Sequence, residues 1–528
     1  MPTPAAPPRA RAPRYTRRVT TPLAPPLTPR LAPLLAPLLA TLLACTSDDA
    51  ASPDGLADDT STPATDGTRP WRRELPSLAD EVAGPRDHVL QRAIVHLHSP
   101  WSHDACDGDP LDDQGNPRRD CLADLRLGLC QAGIDHAFLS DHPAHFAQAT
   151  WDADADHGVF LPDDSTTLLP DSADPRALSW TCADGRTATW YPGVEDELMP
   201  VGLDRHVPGE AAERDALYNE YTAQALAAFE QAGALRLVAH TEGRDVPTLQ
   251  ALVDAGLQGV EVFNLHAMFD PDIREEDLGL DRAGWLEDMA PFMDEDGTAE
   301  PDLFVLAVLA AQPPSEAAWD ALNAAGPDDR LIVATAGTDA HQNVMPIPMR
   351  DDERVDSYRR MLRWFSQHLW IDGADPDGSE PGGQGLDAAE AALTAGRFHV
   401  AFEVLGTPEG FDFHLVDAQG AVHEMGAALT DAALPATLVV TCPTLSAPSP
   451  QGALAPEISA IVVRDGAQWQ QGCGSFPVTQ AGTYRVRVDM IPWHLGPFLG
   501  DDADAAAPWM HPYPWVYGNP IRIRASAR

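Results

Sequence analysis

Metal-competent side chains recur between residues 96 and 341, each time at the end of a short apolar run. The run "AIVHLH" supplies His96 and His98, and Asp104 follows it. The later positions of this kind are His142, Glu195, His206, His240, Asp339 and His341. Imidazole and carboxylate groups together suit zinc, manganese or iron rather than calcium. Nine such groups exceed what one transition-metal ion holds, so the sequence predicts two or three ions.

The spacing within these runs supports a shared pocket. In a strand, alternate residues point to the same face, so His96 and His98 share one side, as do Asp339 and His341. One histidine at a strand end is more often a structural hydrogen-bond partner than a ligand. Six of them at such positions favour metal binding over that simpler interpretation.

Elements that could position these residues alternate from about residue 89 to residue 400. The apolar runs are "AIVHLH", "HAFLSDH", "WYPGVE", "LRLVAH", "GVEVFN", "FVLAVL" and "LIVATAGTDAH". Helical patterns such as "CLADLRLGLCQAG" and "VDSYRRMLRWFSQHL" lie between or after them. This alternation predicts an α/β fold with a parallel sheet closed into a barrel. The carboxyl ends of barrel strands face one mouth, where the metal-competent residues would converge.

The segment "HLHSPWSHD", residues 96 to 104, matches the pattern HxHxxxSxD, and "SDH", "GVE", "RH", "VAH", "VEVFN" and "GTDAH" follow in order. In these motifs the chain resembles the PHP family, named after polymerase and histidinol phosphatase. The resemblance covers roughly residues 89 to 345. It implies a distorted (β/α)7 barrel with a trinuclear metal centre and a metal-dependent phosphoesterase activity.

The resemblance also implies an assignment of ligands to ions. One ion would be held by His96, His98, Asp339 and a bridging Glu195, the second by Glu195, His206 and His240, and the third by Asp104, His142 and His341. Glu197 is the alternative to Glu195 for the bridging role. His103 is expected to take a structural or supporting role, and Asp141 to orient a neighbouring ligand.

The chemistry expected of this centre is hydrolysis. Two close cations lower the pKa of a bridging water and give a metal-bound hydroxide near neutral pH. The acidic residues expected to organise catalysis are Glu195, Asp339 and Asp104. Arg244 and Arg205 are candidates for neutralising the oxyanions of a bound phosphate, with surface ion pairing as the alternative for each.

We therefore expect a metal-dependent phosphoesterase with two to three divalent ions (Zn, Mn or Fe) per chain. Two alternatives stay open at this point. The same centre could cleave a carboxylic or carbamate ester, or the chain could be a non-catalytic surface binding protein. For the phosphoesterase and for the carboxylic or carbamate ester hydrolase, the expected partner is a small-molecule ester.

The charge of the chain and its first residues bear on location. The 35 basic residues are all Arg and face 80 acidic residues, for a net charge of −45. A field this negative argues against nucleic acid as a partner. An Arg-rich segment precedes an apolar run from Leu31 to Ala44, which is too short to span a bilayer. The run ends in "LLAC", which resembles a bacterial lipobox with Cys45 as the lipidated residue.

These features predict an exported bacterial lipoprotein, attached to a membrane of the cell envelope through a lipid anchor, with the outer membrane favoured by the absence of aspartate after the cysteine. A plain signal peptide with a nearby cleavage site is the alternative. The predicted organisation is a signal peptide over residues 1–44, a disordered tether over 45–88, the barrel over 89–400 and an all-β sandwich over 401–528. Turn-separated β-like runs such as "ATLVVTC" and "TYRVRVDMI" predict the sandwich.

Six further cysteines form an even set, which favours disulfides in an exported chain. Cys106 and Cys121 flank a polar loop, and closing it would stabilise the fold by about 3 kcal/mol. Cys442 and Cys473 lie in the strand-rich C-terminal region. There, "GNPIRI" resembles the closing strand of β-sandwiches appended to some secreted PHP-type proteins. The nearby "PWMHPYPWVYG" is either a carbohydrate-stacking surface or a buried aromatic plug.

Overall fold

The structure is a computed structural model that describes residues 71–528 except 153, 155, 171–173, 373–385, 447–452, 501–502 and 527–528. The described residues belong to one compact unit. The predicted signal peptide, Cys45 and most of the predicted tether lie outside the described residues. Within the described part of the chain, the helices are too short or too polar to cross a membrane.

The strands are β1 (Val89–Leu97), β2 (His136–Phe138), β3 (Thr166–Leu169), β4 (Ala177–Thr181), β5 (Thr187–Tyr191), β6 (Leu198–Val201), β7 (Leu235–Val238), β8 (Gly259–Asn264), β9 (Val333–Ala340), β10 (Ser366–Ile371), β11 (Phe398–Ala401), β12 (Pro408–Glu409), β13 (Asp412–Val416), β14 (Val422–Glu424), β15 (Ala428–Thr430), β16 (Ala436–Thr441), β17 (Thr444–Leu445), β18 (Glu457–Arg464), β19 (Ala467–Gln471), β20 (Gly474–Val478), β21 (Gly482–Ile491) and β22 (Tyr513–Arg524).

The helices are α1 (Leu78–Glu81), α2 (Arg119–Gln131), α3 (Pro143–Phe146), α4 (Ala211–Tyr218), α5 (Ala223–Gln231), α6 (Val246–Asp254), α7 (Leu265–Phe269), α8 (Pro271–Glu276), α9 (Trp285–Met293), α10 (Pro313–Ala325), α11 (Tyr358–Trp364), α12 (Leu386–Ala395) and α13 (Ala503–Ala506).

Six parallel strands form the part of the sheet that carries the predicted ligands. Their order is β5-β2-β1-β9-β8-β7, and β6 pairs antiparallel with β7. An isolated bridge joins Gly193, just after β5, to Val201 at the end of β6. The two ends of this row of strands therefore meet. Buried apolar side chains from several of these strands, among them Val95, Phe138 and Leu237, form one cluster.

The same large sheet continues into the C-terminal region. β10 pairs antiparallel with the first half of β1, and β11, β22, β21, β18 and β19 follow in antiparallel order. A separate antiparallel sheet has the order β14-β13-β16-β20. In β13 and β16, buried and partly exposed residues alternate, as expected for a sheet with one face on a core. The fold is therefore mixed α/β with a large mixed sheet and a separate antiparallel β region.

Two predicted elements differ from the structure. The run "FVLAVL" lies largely in a 3-10 helix, Pro301–Ala307, because an apolar run alone does not distinguish a strand from a buried helical segment. The pattern "VDSYRRMLRWFSQHL" divides into α11 and β10, since the residues from Ser366 onward pair with β1 and β11.

The end of the predicted tether also differs from the structure. Residues 71–88 contain α1, and the side chains of Leu75, Leu78 and Val82 are buried. Trp71 Nε1 donates a 2.8 Å hydrogen bond to Asp302. The buried side chains and this hydrogen bond fix the segment against the remainder of the unit, so the described fold begins before residue 89.

The disulfides and the aromatic run bear on two sequence predictions. The Cys106–Cys121 and Cys442–Cys473 pairings are confirmed, and Cys130–Cys182 is the third bond. Trp509, Tyr513, Trp515 and Tyr517 are buried. The ring of Trp509 lies 5.1 Å from that of Phe292 on α9. Burial of these rings favours the aromatic plug over a stacking surface for carbohydrate.

Candidate metal centre

Eight of the nine predicted ligands come together where the parallel strands end. Three groups have one ligand atom per residue within 4.8 Å of the others. The first group is His96, His98 and Asp339, the second is His96, Glu195 and His240, and the third is His98, Asp104 and His142. His341 adjoins them, with Nε2 3.9 Å from Asp339 Oδ1. His96 belongs to the first and second groups, His98 belongs to the first and third, and Asp339 of the first group also neighbours His341. The three groups therefore form one continuous centre.

His206 is the predicted ligand that the structure does not bring to the centre. Its Nε2 lies 2.9 Å from the carbonyl of Ala149, and its Nδ1 lies 3.2 Å from the hydroxyl of Tyr218. Its ring packs against Phe146 and Trp151. The prediction for His206 is therefore corrected, because both ring nitrogens are engaged elsewhere.

His266 is a residue of the centre that sequence reasoning missed. It lies on α7, directly after β8, and its Nδ1 is 3.2 Å from Asp339 Oδ2. Its ring is 5.5 Å from that of His240. The sequence feature that could have identified His266 is its position two residues after Asn264, at the carboxyl end of a parallel strand.

A shared orientation characterises five of the histidines. In each, Nδ1 faces an oxygen: Glu261 Oε1 at 2.7 Å for His96, Ser102 Oγ at 2.9 Å for His98, the Glu195 carbonyl at 3.1 Å for His142, Glu242 Oε1 at 3.3 Å for His240, and Asn343 Oδ1 at 2.8 Å for His341. In each, Nε2 faces a carboxylate of the centre, between 2.9 and 3.9 Å away. This arrangement fixes which nitrogen each ring presents to a cation.

The titrating groups of the centre influence one another strongly. Burial alone would raise the pKa of Glu195, but the charge of His142 and a hydrogen bond to His240 lower it to about 2. Burial opposes the charged form of His142, yet Asp104 and Glu195 raise its pKa to about 10. The pKa of Asp339 lies well below its usual value because His96 and its neighbours outweigh burial. Without an ion, protons on His96, His142 and His240, whose pKa values are raised, balance the buried carboxylates.

The backbone at three ligands is strained. His96, His240 and Asp339 have φ values of 77°, 52° and 46°, in the left-handed region that residues with a side chain rarely adopt. Such positions cost about 1–3 kcal/mol each and persist where the surroundings over-determine them, often at functional sites. Glu261 contributes to this constraint, because it accepts a 2.8 Å hydrogen bond from the backbone N–H of His240.

The predicted supporting residues lie around the centre with differing contacts. Asp141 accepts hydrogen bonds from the backbone and hydroxyl of Ser99, next to His98, and burial raises its pKa to about 8. The ring of His103 lies 4.7 Å from that of His142, with the two planes tilted by 36°. Neither is a member of the three groups.

The predicted substrate-binding arginines differ from each other in their contacts. Arg244 donates from Nε to the carbonyl of His240 at 2.7 Å and from Nη1 to Glu197 at 2.5 Å. Glu197 thus pairs with an arginine and is half exposed, whereas Glu195 is buried in the second group. Arg205 is exposed. Of the two glutamates, Glu195 is the one that belongs to a candidate ligand group.

The donor set fits a cation on two observations. His96 Nε2 is buried without a hydrogen-bond partner among the described residues, and it lies 3.2 Å from Asp339 Oδ1. A buried polar atom of this kind costs free energy unless something pairs with it. The oxygens and imidazole nitrogens of the groups are also the ligands that zinc, manganese and iron accept.

A further acidic group differs from this centre. Glu300, Asp302 and Asp351 also approach one another. Asp302, however, receives hydrogen bonds from Arg359 at 2.6 Å and Arg360 at 2.5 Å. Because guanidinium groups already compensate the buried carboxylate, this group is an ion-pair network rather than a second centre.

In comparisons with known proteins, no family model, curated protein or solved structure matched this chain.

Proposed function

We propose that the protein is a metal-dependent hydrolase of the PHP type, acting as a phosphoesterase. The observation that carries this proposal is the sharing of His96 and His98 among three adjoining ligand groups. A structural histidine needs one hydrogen-bond partner, whereas here several imidazoles and carboxylates converge on common points. The PHP-like order of motifs in the sequence supports the same conclusion.

The strand arrangement supports a PHP-type barrel. Six parallel strands and the antiparallel β6 make seven, and the Gly193–Val201 bridge connects the two ends of the row. Ligands follow the carboxyl ends of β1, β2, β5, β7, β8 and β9, which is where barrel enzymes place their active sites. The antiparallel β region then corresponds to the proposed C-terminal sandwich.

The residues that would hold the ions follow from the three groups. Two to three divalent ions would take the first, second and third groups, with His266 and His341 as additional ligands beside Asp339. When bound, such ions supply a nucleophilic hydroxide at neutral pH and stabilise negative charge on the ester oxygens.

The chain's own residues prepare this chemistry. Glu195 lies between the imidazoles of His142 and His240, 3.3 and 3.5 Å from their nitrogens, and so links two groups. Ser102 accepts from His98 and donates to Asp104 at 2.6 Å, which holds both ligands in register. Arg244, beside the His240 backbone, would meet an anionic substrate only by exchanging its partner Glu197.

The test of the proposal combines elemental analysis with a substrate panel on purified protein. We expect two to three transition-metal ions per chain and metal-stimulated release of p-nitrophenol from p-nitrophenyl phosphate. The double variant His96→Ala, His98→Ala should lose the bound metal as well as the activity. His157→Ala, which changes an exposed histidine outside the centre, is the matched control.

Three outcomes would count against the phosphoesterase proposal. Cleavage of aryl carboxylic esters without phosphate release would favour the ester-hydrolase alternative. Protein with no bound metal and no hydrolysis would favour a binding protein. Full activity in the double variant would show that hydrolysis does not depend on the centre.

A further inference from the structure

Glu242 is a buried acid that the ligand groups do not use. Its side chain is 1% exposed, and both carboxylate oxygens lack a hydrogen-bond partner among the described residues. An isolated carboxylate in a protein interior is strongly unfavourable unless a partner compensates its charge. Glu242 therefore requires a neighbouring group that compensates its charge.

The neighbour that can pair with Glu242 is His240. Glu242 Oε1 lies 3.3 Å from His240 Nδ1, and that nitrogen also lacks a hydrogen bond among the described residues. A second acid, Asp277, approaches the same loop, since a Cβ on Gly243 would meet Asp277 Oδ1 at 2.6 Å. The added like charge leaves the imidazole as the compensating group.

The contact determines how His240 faces the centre. With Nδ1 directed at Glu242, Nε2 points toward Glu195 Oε1, 3.5 Å away. His96, the other imidazole of the second group, is held in the same way by the carboxylate of Glu261. Both histidines of the second group therefore have a carboxylate behind them.

The third group differs in this respect. Among the described residues, no carboxylate outside the ligand groups lies behind its imidazoles. His98 Nδ1 faces the hydroxyl of Ser102 and, at 3.6 Å, the ligand Asp104, whereas His142 Nδ1 faces the main-chain carbonyl of Glu195 and, at 3.3 Å, its carboxylate, which is itself a ligand of the second group. A carboxylate behind a ligating imidazole makes it more basic than a neutral oxygen does, and loss of such a partner typically weakens metal binding by about 10- to 100-fold. The imidazoles of the second group are therefore better supported by carboxylates than those of the third group.

We propose that Glu242 is a positioning residue that holds His240 through Nδ1 and makes the second group the tightest of the three metal positions, with the third group the most readily emptied. The inference rests on the proposed metal centre, but it concerns metal affinity and does not depend on which ester is cleaved. It assigns an order of occupancy to groups that share ligands.

The test is a chelator titration of zinc-loaded protein, followed by elemental analysis at each step. In the wild type we expect stepwise release, with one ion retained longest. Glu242→Gln keeps the size of the side chain and removes its charge, so the affinity for that last ion should fall about 10- to 100-fold while the earlier steps stay in place. Glu287→Gln, at an exposed position on α9, is the matched control.

Two further measurements keep the test decisive. His142→Gln should abolish the first release step and leave the last one unchanged. The unfolding midpoint of the metal-free protein should not fall in Glu242→Gln, because Gln has the same size and Glu242 makes no hydrogen bond among the described residues that the substitution would remove. A purely structural role would instead lower this midpoint and weaken all ions together.

The inference is overturned if Glu242→Gln releases zinc as the wild type does, if all steps weaken alike, or if the wild type binds no zinc. Wild-type protein that binds zinc in ordered steps but hydrolyses nothing would contradict the proposed function and leave the inference in place.

Discussion

At the scale of single residues, the centre depends on imidazoles whose orientation is fixed from behind. Five histidines direct Nδ1 to an oxygen and Nε2 to a carboxylate, whereas His266 presents Nδ1 to Asp339. A ring fixed in this way needs no rearrangement to accept an ion. The strained backbones of His96, His240 and Asp339 reflect the same constraint.

The contrast between His266 and His206 yields a direct prediction. His266→Ala should lower the metal content by up to one ion per chain, because its Nδ1 faces Asp339 at 3.2 Å. His206→Ala should retain the wild-type content when measured by elemental analysis, since both of its ring nitrogens are engaged outside the centre. Loss of metal in His206→Ala, with retention in His266→Ala, would reverse this assignment.

The raised pKa of His142 predicts a coupling between metal and protons. Since this pKa is about 10 instead of 6.5, the folded metal-free protein holds that proton at pH 8. Its pairing stabilises the metal-free fold fully below pH 6.5, and this stabilisation is lost as pH rises toward 10. Binding of Zn²⁺ at pH 8 should therefore release protons.

Calorimetry of zinc binding in two buffers of different ionisation enthalpy measures this release. His142→Gln should release about one proton fewer than the wild type. Equal heats in both buffers for the wild type would show that no proton leaves, contrary to the prediction.

At the scale of elements, strand direction explains what the sequence could and could not predict. Residues at the carboxyl ends of β1, β2, β5, β7 and β9 were predictable from short motifs and alternation. The position of His206 outside the centre was not predictable in this way. His206 follows β6, which runs antiparallel to β7 and therefore ends at the edge of the sheet where β7 begins. Pairing direction depends on contacts distant in sequence, which local patterns do not encode. The same reason applies to β10 within a helical pattern.

The Cys106–Cys121 disulfide predicts an effect at this scale. It begins two residues after Asp104 and ties that loop to α2. Replacing both cysteines by serine should lower the free energy of unfolding by about 3 kcal/mol and weaken zinc binding at the third group. Denaturant unfolding and zinc titration measure the two effects.

The Cys442–Cys473 pair provides the matched control, since it lies in the C-terminal β region. Its double serine variant should lose stability while keeping the zinc affinity of the wild type. If both disulfide variants lost zinc equally, global destabilisation would explain the effect and the local role of Cys106–Cys121 would be rejected.

At the scale of the whole molecule, the charge and the first residues concern location. The net charge of −45 and the lipobox-like "LLAC" support our proposal that the protein is an exported lipoprotein. Cys45 lies outside the described residues, so this proposal depends on the sequence. In a bacterial host, Cys45→Ser should move the protein from the membrane fraction to the soluble fraction. An unchanged distribution in fractionated cells would contradict lipid anchoring at Cys45.

The metal content of purified protein, measured beside its phosphatase activity, tests whether the converging imidazoles and carboxylates hold catalytic ions. We predict two to three transition-metal ions per chain, and loss of both metal and phosphate release in His96→Ala, His98→Ala. Wild-type protein that retains no ion after exposure to zinc, manganese or iron would contradict the proposed metal centre.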